Sequence, residues 1–169
     1  EDFNLSWNGG MAIVSASVGG DETAQLYLMD TTTGRLEALT RQPKVQFGSV
    51  TWARDDRSSY YRSNEENGKD FFLYRMDMAG RKVTKVYDAT PGYNAVAELS
   101  QDGRWMIVSN ATSNVNNDIL LLDLASGQSR KLNDDNRDVS FESVTLMPDN
   151  RTLWLTCNDN PEGITRLAT

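Results

Sequence analysis

The 169-residue sequence contains no histidine. That absence removes the commonest general base, the commonest metal ligand and the centre of every Ser-His-Asp or Cys-His arrangement, so most hydrolytic mechanisms cannot be assembled from these residues. Cysteine is nearly absent as well: Cys157 stands alone, no internal disulfide can form, and cysteine usage leaves the compartment open. Long hydrophobic runs are missing. Apolar stretches reach four residues, against the roughly 20 that a membrane-spanning helix requires, and no charged, apolar and small-residue succession of the signal-peptide kind opens the sequence. Positive charge is in deficit: 17 Lys and Arg face 24 Asp and Glu, giving a formal net charge of -7. The cations are scattered, which argues against nucleic acid as a partner. What is present, 38% hydrophobic and 24% charged residues, is the composition of a folded domain with a substantial core.

A repeat organises the chain. Trp7, Trp52, Leu99 and Leu146 each precede a turn-forming group, at separations of 45, 47 and 47 residues. Asp30, Asp77 and Asp123 each close an apolar run and are followed by Gly34, Gly80 and Gly127. Two markers in one register identify an internal repeat.

Each repeat reads as four short strands. The first alternates (Val50 and Trp52, Ala97 and Leu99) and meets Gly9-Gly10, Asp55-Asp56, Asp102-Gly103 or Asp149-Asn150, pairs that tolerate the positive φ of a tight hairpin. Second strands are predicted over Ile13 to Ser17, Ser59 to Ser63, Trp105 to Ser109 and Leu153 to Cys157, and third strands over Leu26 to Met29, Phe71 to Met76 and Ile119 to Leu122. More polar fourth strands follow over Leu36 to Thr40, Lys82 to Tyr87 and Ser129 to Leu132. The third strands are apolar at successive positions, so both their faces must be covered. Buried middle strands, a wet outer strand and a period near 47 describe the blades of a β-propeller, an all-β fold, with boundaries near 1–41, 42–88, 89–133 and 134–169. The fourth repeat shows a first strand (Glu142 to Leu146), a second, and a third over Gly163 to Ala168, and no fourth. Either four blades close with an incomplete edge or the chain is a segment of a larger propeller; the segment is expected, with apolar end faces that a second copy or another partner would cover.

The run Asp102-Gly103-Arg104-Trp105-Met106-Ile107-Val108-Ser109-Asn110, followed by Asp118 to Leu124 and Ser126-Gly127, resembles the Pro-Asp-Gly repeat of TolB-like propellers and of the propellers of prolyl-oligopeptidase-family serine peptidases. Trp52 to Asn64, Leu146 to Asn158 with Pro148-Asp149-Asn150, and Leu39-Thr40 repeat the pattern. Met147 to Asn158, Glu162 and Arg166-Leu167-Ala168 look more like dipeptidyl-peptidase blades. The peptidase resemblance implies a non-catalytic propeller above an α/β-hydrolase domain, limiting access to short peptides. The TolB resemblance implies protein binding in the periplasm or elsewhere in the bacterial envelope. Neither implies a cofactor. No Gly-x-Ser-x-Gly elbow and no histidine are present, so the family's triad maps onto no residue here.

Candidate sites are few. Glu65-Glu66 resembles the paired glutamates with which some dipeptidyl peptidases hold a substrate's amino terminus, although Asn64, Asn67 and Gly68 make a hairpin loop the simpler account. Asp134, Asn136 and Asp138 share the opening spacing of a calcium loop, but Val139 and Thr145 stand where its glycine and bidentate glutamate belong, so no metal site is expected. Asp30, Asp77 and Asp123 are expected to accept backbone hydrogen bonds in their own turns. Glu98 lies at an inner-strand position where Ser6, Thr51 and Thr145 are taken as its counterparts, so it needs a structural hydrogen bond or lines a channel. Cys157, aligned with Ser17, Ser63 and Ser109, is expected to be a buried, inert thiol, and the four tryptophans to pack between blades, Trp7 and Trp52 on inner strands, Trp105 and Trp154 on second strands. The connecting loops of one rim carry Arg41, Lys44, Tyr93, Asn114, Asn116, Asn117, Asp135 and Arg137. From these, Glu65, Glu66, Tyr93, Glu98, Asn116, Asp135 and Arg137 are the candidate binding residues for a protein or peptide.

Overall fold

The computed structural model describes residues 2–17, 23–88, 90–133 and 138–169, and among them every regular element is a strand. β1 (Asp2–Leu5), β2 (Met11–Ala16), β3 (Gln25–Asp30) and β4 (Leu36–Ala38) form one antiparallel sheet in chain order. β5 (Phe47–Trp52), β6 (Ser58–Ser63), β7 (Phe72–Asp77) and β8 (Val83–Tyr87) form the second, and β9 (Tyr93–Leu99), β10 (Trp105–Ser113), β11 (Asn116–Asp123) and β12 (Ser129–Lys131) the third. β13 (Phe141–Leu146), β14 (Leu153–Cys157) and β15 (Arg166–Ala168) form a three-stranded fourth sheet. These are the blade-like meanders expected of a propeller segment. Two compact units hold two sheets each, Glu1–Pro91 and Gly92–Thr169.

The repeat is stricter than the tryptophans indicate. Leu5, Trp52, Leu99 and Leu146 end the inner strands. The next residue closes each hairpin: the N–H groups of Ser6, Ala53, Ser100 and Met147 donate to the carbonyls of Met11, Ser58, Trp105 and Thr152 at 2.8 to 2.9 Å. All four sets are 47 residues apart. Trp7 is therefore not an inner-strand residue; it lies in the turn, 59% exposed, and Leu5 holds the place of Trp52. The cause is backbone geometry. Each turn needs one left-handed residue, met by Gly9, Asp56, Gly103 and Asn150 at φ 73, 56, 70 and 53°. That position, rather than the aromatic, sets the register. Two further alignments shift with it: the counterparts of Glu98 are Asn4, Thr51 and Thr145, and those of Cys157 are Ala16, Ser63 and Asn110.

Strand ends also move. β10 runs to Ser113 instead of Ser109, because β10 and β11 stay paired out to Ser113 and Asn116 across a short hairpin. β15 begins at Arg166 instead of Gly163. The outer strands β4, β8 and β12 are mostly exposed; β7 is buried on both faces apart from Arg75 and Asp77, β11 alternates between buried and half-buried positions around the buried Ile119 and Leu120, and β3, expected to be covered on both faces, buries only Leu26 and Leu28. In the first unit the core is Ile13, Leu26 and Leu28 from one sheet against Phe47, Trp52, Tyr61, Phe72, Tyr74 and Met76 from the next. In the second unit Leu99, Met106, Ile107, Val108, Ile119 and Leu122 are buried.

Candidate functional site

Side chains at the turns tie the sheets within each unit. The Asp56 carboxylate accepts the backbone N–H groups of Trp7 at 2.7 Å and Asn8 at 2.9 Å, and the Trp52 indole Nε1 donates to the Asn4 carbonyl at 2.9 Å. Trp7 in return directs its own Nε1 to the Trp52 carbonyl at 3.5 Å, with the Arg54 guanidinium 4.0 Å from its ring centre. The same clip recurs in the second unit, where Asn150, two repeats after Asp56, donates to the Asp102 carboxylate at 2.9 Å. Trp105 carries Arg104 at 4.6 Å over its ring, and Trp154 is 39% exposed, so packing between sheets accounts for Trp52 but not for all four indoles.

At the opposite ends of the strands, polar side chains pin the connecting loops. The Gln25 amide donates to the carbonyls of Gln42 and Val45 and accepts from Gln42 N–H. Asn64 accepts from Gln46 N–H at 2.8 Å, and Asn158, 94 residues on, accepts from Ser140 N–H at 2.8 Å. Asn117, expected on the rim, is instead buried. Its amide donates to Ser109 Oγ and the Phe141 carbonyl and accepts from Phe141 N–H, stitching the third sheet to the fourth.

Glu65 and Glu66 occupy the turn from β6 to β7, held by Gly68 N–H to the Asn64 carbonyl at 2.7 Å. The Gln42 amide donates to Glu65 at 3.3 Å. Glu66 is engaged by Lys85 Nζ at 2.8 Å and the Tyr74 hydroxyl at 3.0 Å, and Lys85 also reaches Asp88 at 2.8 Å. The Lys85 hydrogen bond, with that of Tyr74 after it, holds the Glu66 carboxyl below its ordinary range. Burial chiefly, and the Glu66 contact second, push the Tyr74 hydroxyl far up, so it stays a neutral donor. The two glutamates thus differ in their partners: Glu66 is ion-paired to Lys85 of β8, while Glu65 accepts from the Gln42 amide.

In the second unit Tyr93 opens β9 with 44% exposure. Glu98, half-buried on β9, accepts Leu99 N–H at 3.0 Å, a structural hydrogen bond of the kind its position demands. Asn116, at the start of β11, donates to Asp138 at 3.2 Å. Asp135 and Arg137 lie outside the described residues, as do Asp134 and Asn136 of the calcium-like spacing. Among the described residues no group of three or more His, Cys, Asp or Glu side chains is placed to hold a metal. Cys157 is buried and free. Asp30 and Asp123 serve their own turns: Asp30 accepts from Thr32 and Thr33 N–H, Asp123 from Ala125 and Ser126 N–H, and these bonds hold both carboxyls below the usual range. Asp77 accepts Gly80 N–H at 2.6 Å. The left-handed residue of that second hairpin is Gly34, Arg81 or Gly127, so Gly80 is not the counterpart of the other two glycines.

Between β11–β12 and β13–β14 lies an apolar cleft of about 560 Å³. The period gives no sign of it. The one sequence signal is that Leu146, which lines it, stands where the second repeat has the larger Trp52.

The model of the prolyl oligopeptidase N-terminal β-propeller domain matches residues 1–163. No curated protein matches the sequence. Among solved structures, a chain from a study of two prolyl endopeptidases and of inter-domain dynamics in their catalysis superposes with a TM-score of 0.79 at 16% identity, over 99% of this chain and 26% of that one. TolB from Acinetobacter baumannii superposes at 0.71 with 19% identity, over 98% and 41%. An oligogalacturonate lyase solved with manganese superposes at 0.70 with 11% identity, over 94% and 44%. These likenesses establish the fold, and the chain spans from about a quarter to less than half of those three chains. With the repeat, the sheets and the matched residues in agreement, this chain belongs to the family of prolyl oligopeptidase N-terminal β-propeller domains.

Proposed function

We propose that the chain is the non-catalytic, access-restricting propeller part of a prolyl-oligopeptidase-family serine peptidase. The observation that carries this reading is the family match over residues 1–163 in a sequence with no histidine. A Ser-His-Asp triad needs an imidazole to move its proton, so chemistry must come from an α/β-hydrolase domain elsewhere in the parent protein. The chain supplies antiparallel sheets whose connecting loops are pinned by side-chain hydrogen bonds. Within the first unit Glu65 and Glu66, and within the second Tyr93, Glu98 and Asn116, are the residues offered to a peptide; Asp135 and Arg137 are proposed with them on sequence grounds alone. The test is enzymatic. The purified 169-residue chain should leave a chromogenic prolyl peptide uncleaved, whereas the full parent protein should cleave short peptides and spare folded ones. A parent sequence without a serine nucleophile elbow and its Asp and His would overturn the proposal.

The likeness to TolB favours a second reading, a protein-binding propeller of the bacterial envelope. Capture of a protein partner by a parent lacking any hydrolase domain, abolished by Tyr93→Ala with Asn116→Ala, would select it.

A further inference from the structure

The sequence contains Asn-Gly twice, at Asn8-Gly9 and Asn67-Gly68, and both asparagines are exposed. Such a step is open to internal attack, because glycine has no Cβ to shield its backbone nitrogen from the side-chain carbonyl before it. The surroundings do not shield it either: a Cβ placed on Gly9 or Gly68 would meet nothing within 4 Å. The two amides are held differently. Asn8 Oδ1 accepts Gly10 N–H at 2.8 Å and the Ser6 hydroxyl at 3.1 Å, and its Nδ2 donates to no described residue. Asn67 Oδ1 accepts Lys69 N–H at 2.9 Å and Asp70 N–H at 2.8 Å, and its Nδ2 is tied to the Asp70 carboxylate at 3.0 Å. The glycine nitrogens are alike, Gly9 N–H donating to the Ser6 carbonyl at 2.9 Å and Gly68 N–H to the Asn64 carbonyl at 2.7 Å. One charge-assisted bond on the departing amide therefore separates the two steps.

Asn8 occupies a repeated position, followed at intervals of 47 residues by Asp55, Asp102 and Asp149. In every turn one side-chain oxygen does the work. Asp102 Oδ1 accepts the Ser100 hydroxyl at 2.6 Å and Arg104 N–H at 3.0 Å, the same two bonds that Asn8 accepts, while Asp55 takes Arg57 N–H at 3.0 Å and Asp149 takes Arg151 N–H at 2.9 Å. The turn itself thus suits a carboxylate. The neighbouring sheet does not. In the second unit the amide of Asn150 faces the acid Asp102 at 2.9 Å; 94 residues earlier the kinds are exchanged, the amide Asn8 and the acid Asp56 lining one small cleft in which Asp56 accepts the Asn8 backbone N–H. Each clip joins one charged group to one neutral group. Arg81, the cation of that cleft, is already engaged by Glu37 at 3.2 Å and by the Met78 carbonyl.

We propose that Asn8-Gly9 is a site of spontaneous deamidation, a covalent modification by water that loosens the clip between the first two sheets. The Gly9 nitrogen bonds to Asn8 Cγ and gives up its proton, the Cγ–Nδ2 bond breaks, and the amide leaves with a proton as ammonia. One water then opens the cyclic imide at either carbonyl, which leaves aspartate or isoaspartate at position 8. Aspartate sets a second carboxylate against Asp56. Isoaspartate adds a carbon to the backbone next to Gly9, whose φ of 73° the turn requires. Both products weaken the two N–H bonds that Asp56 accepts from Trp7 and Asn8.

The full 169-residue chain, aged in mildly alkaline buffer and then digested, reports each site by mass spectrometry as the mass gained when the amide becomes an acid. In the folded chain Asn8 should convert about tenfold faster than Asn67, the factor set by one additional charge-assisted bond. In urea, where both turns are lost, the two rates should converge. Equal or faster conversion of Asn67 in the folded chain, or none at Asn8 over a time that converts it in urea, overturns the proposal. The consequence for the clip is read separately. Asn8→Asp should lower the urea midpoint of the chain, and adding Asp56→Asn, which restores an acid and an amide in the order of Asp102 and Asn150, should recover part of that loss. A midpoint that Asn8→Asp leaves unchanged, or that the second substitution lowers further, refutes the loosened clip.

Discussion

Four left-handed positions spaced 47 residues apart, Gly9, Asp56, Gly103 and Asn150, decide where every inner hairpin turns. The two that are not glycine use their side chains to reach back to the neighbouring sheet. Asp56 tolerates φ 56° and in exchange accepts two N–H bonds from the preceding turn. Asp56→Ala keeps the strained backbone and loses both bonds, so it should lower the stability of the first unit by about 1–2 kcal/mol; Asp56→Gly, which removes the strain, should lose less. Urea midpoints of the two variants check the order. A second residue-scale consequence is pH dependence. Backbone N–H bonds hold Asp30, Asp123 and Asp149 below the ordinary carboxylate range, the Ser100 hydroxyl does so for Asp102, and Lys85 for Glu66. A lowered folded-state pKa means that the unfolded chain binds protons first. This stability is fully present above the unfolded value of about 4 and is lost as pH falls through the lower folded values. Urea midpoints measured from pH 6 downward should stay level and then fall in the acid limb, and Asp30→Asn with Asp123→Asn should shallow that fall. A midpoint rising on acidification contradicts the assignment.

The strands carry their own irregularities, and these also repeat. β5 shifts register between Gly48 and Thr51, and β13 between Glu142 and Thr145. Ser49 and Ser143, 94 residues apart, sit in these shifts at φ 48°. A bulge of this kind prefers glycine at its left-handed residue, so Ser49→Gly and Ser143→Gly should each raise stability by up to about 1 kcal/mol, seen as higher thermal midpoints. Packing of the same elements gives the opposite sign. Tyr61, 2% exposed on β6, stacks on Tyr74 of β7 at 5.7 Å and meets Phe47 of β5 at 5.9 Å. Burial pushes its hydroxyl far above the normal range, so the ring acts as a neutral core group. Tyr61→Ala should cost about 3–5 kcal/mol. The alternation of apolar and polar residues made the existence of these strands readable, but their ends were not. β10 runs on to Ser113 because it keeps pairing with β11 through a register shift between Ala111 and Ser113, a pairing that no local pattern in Ala111 to Val115 encodes.

The whole molecule divides into two units, each with its own buried core. The aromatic cluster of the first unit lies entirely within residues 13–76. A fragment of residues 1–91 should therefore unfold cooperatively in urea by circular dichroism, whereas a gradual, featureless loss of signal would show that its core needs more of the chain. Phe3, Leu5 and Trp7 remain more than half exposed, so this fragment is also expected to associate as concentration rises.

The sequence by itself determined the period, the strand alternation, the turn aspartates and the absence of an imidazole. Each of these is local: an Asp two or three residues before the N–H groups it accepts, a glycine or asparagine where φ must be positive, a residue type that is not there. Only the tertiary structure decided that Leu5 and not Trp7 is the counterpart of Trp52, that Asn117 is buried and not on the rim, that Glu66 pairs with Lys85 while Glu65 meets Gln42, and that the last two sheets leave a cleft. Those outcomes depend on which side chains meet across residues far apart in the chain, as Trp7 meets Asp56 and Asn117 meets Phe141. Packing and pairing between sheets select among partners that local pattern leaves equivalent.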